Sequence, residues 1–441
     1  MTPSHPDGFS VLLTPLRAAL SAGQPNSVEV LVRIQAPDAP ASLEARPPQA
    51  IALVIDRSGS MDGRPLQEAR RCAAFAVSRM RPIDSVSLVQ FDDTVERLWP
   101  ATALGDASAL LAAIGRIESG GSTDLHGGWL DGAVSLKPVE GRGLKRVVIL
   151  SDGCANHGVT DTETIAAYCG RWANEHGITT STYGLGNHFN EELMVAMARA
   201  GGGNHYYGDT ADDLMEPFQQ ELDLLANLAL RRVDLHAKVP AGVTLEVLND
   251  LPRSGAGWRV PDLAWGAEAW AVLRVTVPAD AVLPIVSVQS LLTVEVTGDR
   301  LEGGLTDLGP VRLTVPVVHP AEADQVKEDD LVRRRLAELA AARVLVRMRG
   351  AAHEGDWDTV DRLLADALER FSGNEWLTGI LQAMTVLARS RSRERVAKES
   401  MYTSVRLSSR LAEKEEGGVQ FSSKVGPAYL RRKTLQGKRA R

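Results

Sequence analysis

Cysteine is scarce: Cys72, Cys154 and Cys169 are an odd number that makes no disulfide framework and fits a reducing compartment. Long apolar runs are missing too. No uncharged stretch approaches the ~20 residues that span a bilayer. The opening MTPSHPDGFSVLLTPLRAAL has no basic cluster ahead of an apolar run and no small-residue cleavage pattern, so the expected address is the cytoplasm. Positive charge is not in excess. A net charge of −7 argues against general nucleic-acid affinity, which needs a basic face to neutralise phosphates. Several catalytic signatures are absent. No Gly-rich loop ends in Lys-Ser/Thr, so the chain does not read as an ATPase, and no GxSxG elbow offers a nucleophilic serine. Gly184-Leu185-Gly186 follows a strand, but Phe189 stands where a dinucleotide loop needs its third glycine.

The 441 residues, 44% hydrophobic and 24% charged, describe a globular chain of two or three domains. Residues 28–34 (VEVLVRI) alternate apolar and polar as a half-buried strand does, and a Pro/Ala-rich stretch follows them. IALVI at 51–55 is the unbroken apolar run of a parallel strand covered on both faces. Strands at 86–91, 146–151, 178–186 and 204–209 then alternate with helices at 65–80, 107–117, 125–137, 163–177 and 190–202. That rhythm predicts an α/β domain over 46–222, a doubly wound and mainly parallel sheet. From residue 223 to 320 the pattern is strands without helices (LRRVDLHAKV, VTLEVLN, WAVLRVTVP, SLLTVEVTG, VRLTVPVV), as in an antiparallel β-sandwich. The strands within 1–45 have no partner in the α/β domain, so they are expected to pair with this sandwich, making the α/β domain an insertion. Residues 321–416 read as helical, with breaks near Gly350, Gly355 and Gly373. The tail 417–441 carries Lys424, Arg431, Arg432, Lys433, Lys438, Arg439 and Arg441. It reads as a solvated terminus, with docking onto an acidic partner or nucleic acid as the alternative.

Chemistry concentrates where IALVI runs into Asp56-Arg57-Ser58-Gly59-Ser60. In open α/β sheets, ligands bind where loops converge at the carboxyl ends of the strands. Asp56, Ser58 and Ser60, at alternate positions, present one carboxylate and two hydroxyls to one locus. GGSTD at 120–124 offers Thr123, and ILSDG at 149–153 offers Asp152. Oxygen ligands with two carboxylates suit a hard cation, Mg²⁺ first, with Mn²⁺ or Ca²⁺ as alternatives. Taken singly, each of these loops is ordinary turn chemistry; their joint placement gives the signal. His126 reads as a surface helix residue, and Asp92 and Asp93 as solvated loop charges. Cys154, His157, Cys169 and His176 are a poor zinc set, since Cys169 faces inward on its helix. A phosphatase of the haloacid dehalogenase type would need a second Asp where Ser58 stands.

With these residues the sequence resembles the von Willebrand factor A domain and its metal-ion-dependent adhesion site. The family's Asp-x-Ser-x-Ser loop, Thr and Asp fall on Asp56, Ser58, Ser60, Thr123 and Asp152, and the likeness runs through PLQEARRCA, VSLVQFDD and YGLGNHFNEELMVAMARAGGGNHYY. The resemblance implies that Ser58, Ser60 and Thr123 touch the ion while Asp56 and Asp152 hold it mostly through water. An open position is then left for a partner protein's Asp or Glu. The expected function is a Mg²⁺-dependent scaffold or adaptor rather than an enzyme. A subunit working with an AAA+ ATPase, as in chelatase-like and MoxR-associated systems, or a metal-dependent phosphatase, are the alternatives. A β-module with an inserted A domain is similar in architecture to inter-alpha-trypsin-inhibitor-like and related prokaryotic proteins.

Overall fold

The structure, a computed structural model, describes residues 7–39, 48–140, 143–152, 155–185, 190–208, 214–215, 218–219, 221–222, 227–300, 303–409 and 412–413. Two compact units emerge, 42–227 on one hand and 1–41 with 228–441 on the other. The basic tail from residue 417 lies outside the described residues.

In the larger composite unit, β1 (Ser10–Pro15) and β2 (Leu20–Ser21) precede β3 (Asn26–Gln35). The second unit supplies β4 (Ala50–Asp56), β5 (Ser85–Phe91), β6 (Val95–Ala103), β7 (Lys145–Ser151), β8 (Ile178–Leu185) and β9 (Gly202–Gly208). Its helices are α1 (Arg64–Ser78), α2 (Ser108–Gly115), α3 (Leu125–Leu136), α4 (Thr162–His176) and α5 (Glu191–Ala200). The six strands run in the order β6-β5-β4-β7-β8-β9, every pair parallel except β5–β6. This is the doubly wound α/β fold that the sequence rhythm predicts, with one addition. The β6 strand was not anticipated: VERLWPATA is mostly exposed, contains a proline and carries almost no apolar signal, as an edge strand can.

All seven residues of β4 are buried. On one face Ala52 and Val54 join Val89, Phe91, Val147 and Ile149 beneath Leu125, Trp129, Ala133 and Leu136 of α3, Ile165 and Cys169 of α4, and Leu193, Met194 and Met197 of α5. The approach of α3 is set by glycines four residues apart on one helix face. A Cβ on Gly132 would lie 2.5 Å from Val54 Cγ2, and one on Gly128 would run into the Phe91 ring. Gly128→Ala is therefore expected to cost roughly 1–3 kcal/mol by overpacking, readable in urea unfolding. An unchanged midpoint would mean that α3 can retreat from the sheet without loss.

Thr180, Ser181 and Thr182, buried inside β8, are each hydrogen-bonded. Thr180 accepts from the Trp129 indole at 2.9 Å, and the Thr182 hydroxyl donates to the Met194 carbonyl at 2.9 Å. Ser181 donates to Glu221 at 2.7 Å. That buried carboxylate also accepts from Asn204 (2.6 Å), Tyr206 (2.9 Å) and the Arg146 guanidinium of β7. Burial pushes the Glu221 carboxyl up, but the Arg146 charge and these hydrogen bonds outweigh it and hold it below the ordinary range.

The other unit continues with β10 (Leu228–Lys238), β11 (Thr244–Val247), the short β12 (Arg253–Ser254), β13 (Gly257–Arg259) and β14 (Leu263–Ala264), then β15 (Ala267–Val277), β16 (Val288–Arg300), β17 (Leu305–Asp307) and β18 (Val311–Val318). They form two sheets. One runs β1-β3-β15-β11 with every pair antiparallel, and its longest ladder joins Asn26–Gln35 to residues 268–277. The other runs β12-β13-β10-β16-β18-β2, antiparallel but for β18–β2.

The helical C-terminal region holds four long helices, Asp330–Glu354, Trp357–Arg370, Glu375–Ala388 and Arg393–Ser409. The first packs Val332 and Leu339 on Leu31, Trp270 and Val272 of the β3–β15 sheet. Beside them lies a buried polar cluster in which Glu268 accepts from Arg33 and Gln35 at 2.9 and 2.8 Å. Gly355, at φ 77°, ends the first helix in the left-handed conformation. Gly350, expected near a break, instead sits inside that helix, where the 25-residue run outweighs the modest cost of one glycine.

Candidate metal centre

Two of the three loops that carry candidate ligands leave the carboxyl end of a parallel strand, Asp56 ending β4 and Asp152 following β7, while Thr123 sits on the loop between α2 and α3. The structure brings Asp56, Ser58 and Ser60 together. The Ser58 amide donates to Asp56 Oδ1 at 2.9 Å, and the Ser58 and Ser60 hydroxyl oxygens lie 3.2 Å apart. Asp56, Ser58 and Thr123 are all but fully buried, Asp152 is 6% exposed, and Ser60 is exposed at the surface. The Thr123 loop is stitched to the serine loop through its backbone, Gly120 N–H donating to the Arg57 carbonyl (2.7 Å) and Gly59 N–H to the Gly121 carbonyl (2.8 Å). On its other side, Thr123 N–H donates to Asn156 Oδ1 at 2.7 Å. The Thr123 hydroxyl has no hydrogen-bond partner among the described residues. Asp152 anchors the next loop through its carbonyl, which accepts from Asn190 N–H at 2.8 Å.

Burial dominates the electrostatics. It pushes the Asp56 carboxyl up to about 6, against hydrogen bonds from Ser151 and Ser58 that pull it down, while the Asp152 charge pushes it further up. The Ser151 hydroxyl, 2.5 Å from Asp56 Oδ2, is a site residue that sequence reasoning passed over; its position just before Asp152 at the same strand end was the available signal. No Lys or Arg is paired with Asp56 among the described residues, so a buried carboxylate stands beside a second carboxylate and three hydroxyls without a counter-charge. A divalent cation fits that donor set in kind and in sign.

Two expectations are corrected. Asp92 is not solvated: it is 3% exposed. Its Oδ1 accepts from Thr94 N–H (2.8 Å) and the Thr94 hydroxyl (2.7 Å), and its Oδ2 from Gly121 N–H (3.1 Å) and Arg57 (2.9 Å). Burial pushes its carboxyl up, but these partners outweigh burial and hold it below the usual carboxylate range. His126 is half-buried rather than on the surface, its ring 4.7 Å from Tyr168 and 6.0 Å from Trp129, because α4 packs over the start of α3. As for zinc, Cys169 is a buried free thiol in the core, and Cys154 lies outside the described residues. Among the described residues no group of three or more His, Cys, Asp or Glu could hold a metal ion; the candidate set, with only two carboxylates, relies on hydroxyls.

An open α/β sheet with hydroxyls and carboxylates gathered at its carboxyl edge is an arrangement of recognisable type. Residues 50–221 match the family model of the von Willebrand factor type A domain, and this part of the chain is a VWA domain. An uncharacterized protein of Synechocystis sp. is 26% identical over 219 residues, covering 49% of this chain and 50% of that one. Inter-alpha-trypsin inhibitor heavy chain H1 of Mesocricetus auratus is 27% identical over 197 residues, covering 42% of this chain and 21% of that one. The chain thus spans about half or less of the length of these relatives. Among solved structures, a von Willebrand factor type A protein from Catenulispora acidiphila matches with a TM-score of 0.67 at 19% identity, covering 92% of this chain and 97% of that one. The ArnB paralog VWA2 from Sulfolobus acidocaldarius matches with a TM-score of 0.59 at 18% identity, covering 90% and 98%. At such identities the two structures establish likeness of fold.

Proposed function

We propose that the VWA domain holds one divalent cation, Mg²⁺ in the first place and Mn²⁺ or Ca²⁺ as substitutes, and uses it to capture an acidic side chain of a partner protein. Ser58, Ser60 and Thr123 would contact the ion, with Asp56 and Asp152 holding it mostly through water. The observation that carries this reading is the buried Asp56 carboxylate, without a cationic partner among the described residues, beside the hydroxyls of Ser58 and Ser60. A divalent ion held by neutral hydroxyls keeps uncompensated charge and an open position that a carboxylate fills. In this reading the chain is a scaffold without catalytic turnover. The two mainly antiparallel sheets form a sandwich into which the VWA domain is inserted, supported by the pairing of β3 with β15 across it. The cytoplasm suits it: among the described residues no helix is long and apolar enough to cross a membrane, and neither Cys72 nor Cys169 is in a disulfide.

The test is a pull-down from native lysate by the full chain with Mg²⁺ or with EDTA, comparing wild type with Ser60→Ala and Asp152→Ala. The expected result is a partner retained only by wild type with metal. Equal recovery in all arms would remove the ion from the mechanism. An AAA+ ATPase among the retained proteins, lost on Ser58→Ala, would identify the partner class.

A further inference from the structure

The metal reading leaves one buried acid at the same edge of the sheet without a role. Asp92 sits on the loop between β5 and β6, and its four contacts divide between two other loops and its own. Thr94 fixes its carboxylate within its own turn. The Arg57 guanidinium reaches it from the serine loop at 2.9 Å, and Arg57 lies between Asp56 and Ser58. The Gly121 amide reaches it from the third loop at 3.1 Å, two residues before Thr123. The backbone adds to this, with Asp124 N–H donating to the Asp92 carbonyl at 2.7 Å. Glycine at position 120 is what lets the third loop close over the acid, since a Cβ there would fall on Asp92 Oδ2. A carboxylate offers about four acceptor positions, and here all four are taken, so Asp92 has none left for an ion.

We propose that Asp92 is the positioning residue of the metal centre, a clip that sets the spacing between the loop bearing Ser58 and Ser60 and the loop bearing Thr123. This rests on the reading of the site as a metal centre. Groups that orient ligands without touching the metal typically change affinity about 10–100-fold when removed. Two backbone bonds, Gly120 to Arg57 and Gly59 to Gly121, survive the loss of Asp92, which places the expected effect near the lower end of that range.

The experiment is a calorimetric titration of the full chain with Mg²⁺ and Mn²⁺, run well below the unfolding temperature, on wild type, Asp92→Ala, Asp92→Asn and Asp93→Ala. Amide hydrogen exchange of the metal-free proteins accompanies it. Asp92→Ala should weaken binding about tenfold or more and speed exchange at Gly59 and Gly121, with Asp92→Asn intermediate. Asp93→Ala removes a charge at the neighbouring exposed position and should bind as wild type does. A merely structural role would lower the melting temperature and leave the affinity of the folded molecules unchanged. Wild-type affinity in Asp92→Ala, or equal weakening in Asp93→Ala, would overturn the clip while leaving the metal reading intact. Absence of binding by wild type itself would overturn both.

Discussion

Arg146→Ala lowers the stability of the VWA domain by roughly 3–5 kcal/mol, the cost of breaking a buried ion pair from one side. The substitution strands Glu221, which is 1% exposed, with Ser181, Asn204 and Tyr206 as hydrogen-bond donors but no positive charge. The pH dependence follows from the same contacts. The Glu221 carboxyl is held low in the folded protein, so its stabilising share is present above its unfolded value near 4.5 and is lost as pH falls through the lowered one. Without Arg146 the largest lowering influence is gone, the hydrogen bonds alone oppose burial, and the protonated acid is favoured more than in wild type. The variant's deficit should therefore be largest at neutral pH and shrink on acidification, which urea unfolding between pH 4 and 8 would reveal. A deficit under about 1 kcal/mol, as for an exposed pair, would mean that solvent reaches the pair.

The second large effect is a change of sign. Asp56 is destabilising in the metal-free protein, because burial raises its carboxyl from 3.8 to about 6. Its favourable, protonated form is fully populated below about pH 4 and is lost as pH rises through about 6. A rise of about two units corresponds to roughly 3 kcal/mol at neutral pH. Asp56→Asn removes that charge while its amide oxygen can still accept from Ser58 N–H. The metal-free variant should accordingly be more stable than wild type at pH 7.5, by roughly 1–3 kcal/mol once imperfect hydrogen bonding to Ser151 is allowed for. On the proposed metal reading, saturating Mg²⁺ should reverse the order. Binding at a thousandfold excess over Kd would add about 4 kcal/mol to wild type, while the variant should gain little. Thermal melts with EDTA and with Mg²⁺ would show the two curves exchanging places. Wild type the more stable in EDTA, or no Mg²⁺ shift in either protein, would contradict the proposed role of Asp56.

Sequence patterns reached as far as local rules extend. IALVID announces a doubly covered strand, and alternate Asp and Ser positions after it announce a common focus, because both follow from the geometry of a few consecutive residues. β6 escaped for the opposite reason: Val95–Ala103 is an edge strand whose residues are mostly exposed, and its place is dictated by the neighbouring β5. Asp92 escaped because its role depends on Arg57 and Gly121, residues that a linear reading gives no cause to bring together. Gly120 and Gly121 were the legible trace, paired glycines in a loop where another chain segment comes close. Beyond the expected break near Gly373 the helical region divides once more, into Glu375–Ala388 and Arg393–Ser409, near Arg391 at φ 51°; apolar spacing persists across such a break and conceals it.

The ladder between β3 and β15 has a bearing on how the protein is made. Gln35 and Glu268 are separated by 233 positions, so at 5–20 residues per second the ribosome needs roughly 10–50 s between them. Through that interval β3 has β1 on one flank and nothing on the other, while the whole VWA segment emerges and can fold from its own contacts. The apolar stretch Val28–Ile34 thus needs shelter from neighbouring polypeptides while it waits, and the sheet that holds β1 and β3 cannot close until Ala267–Val277 has emerged.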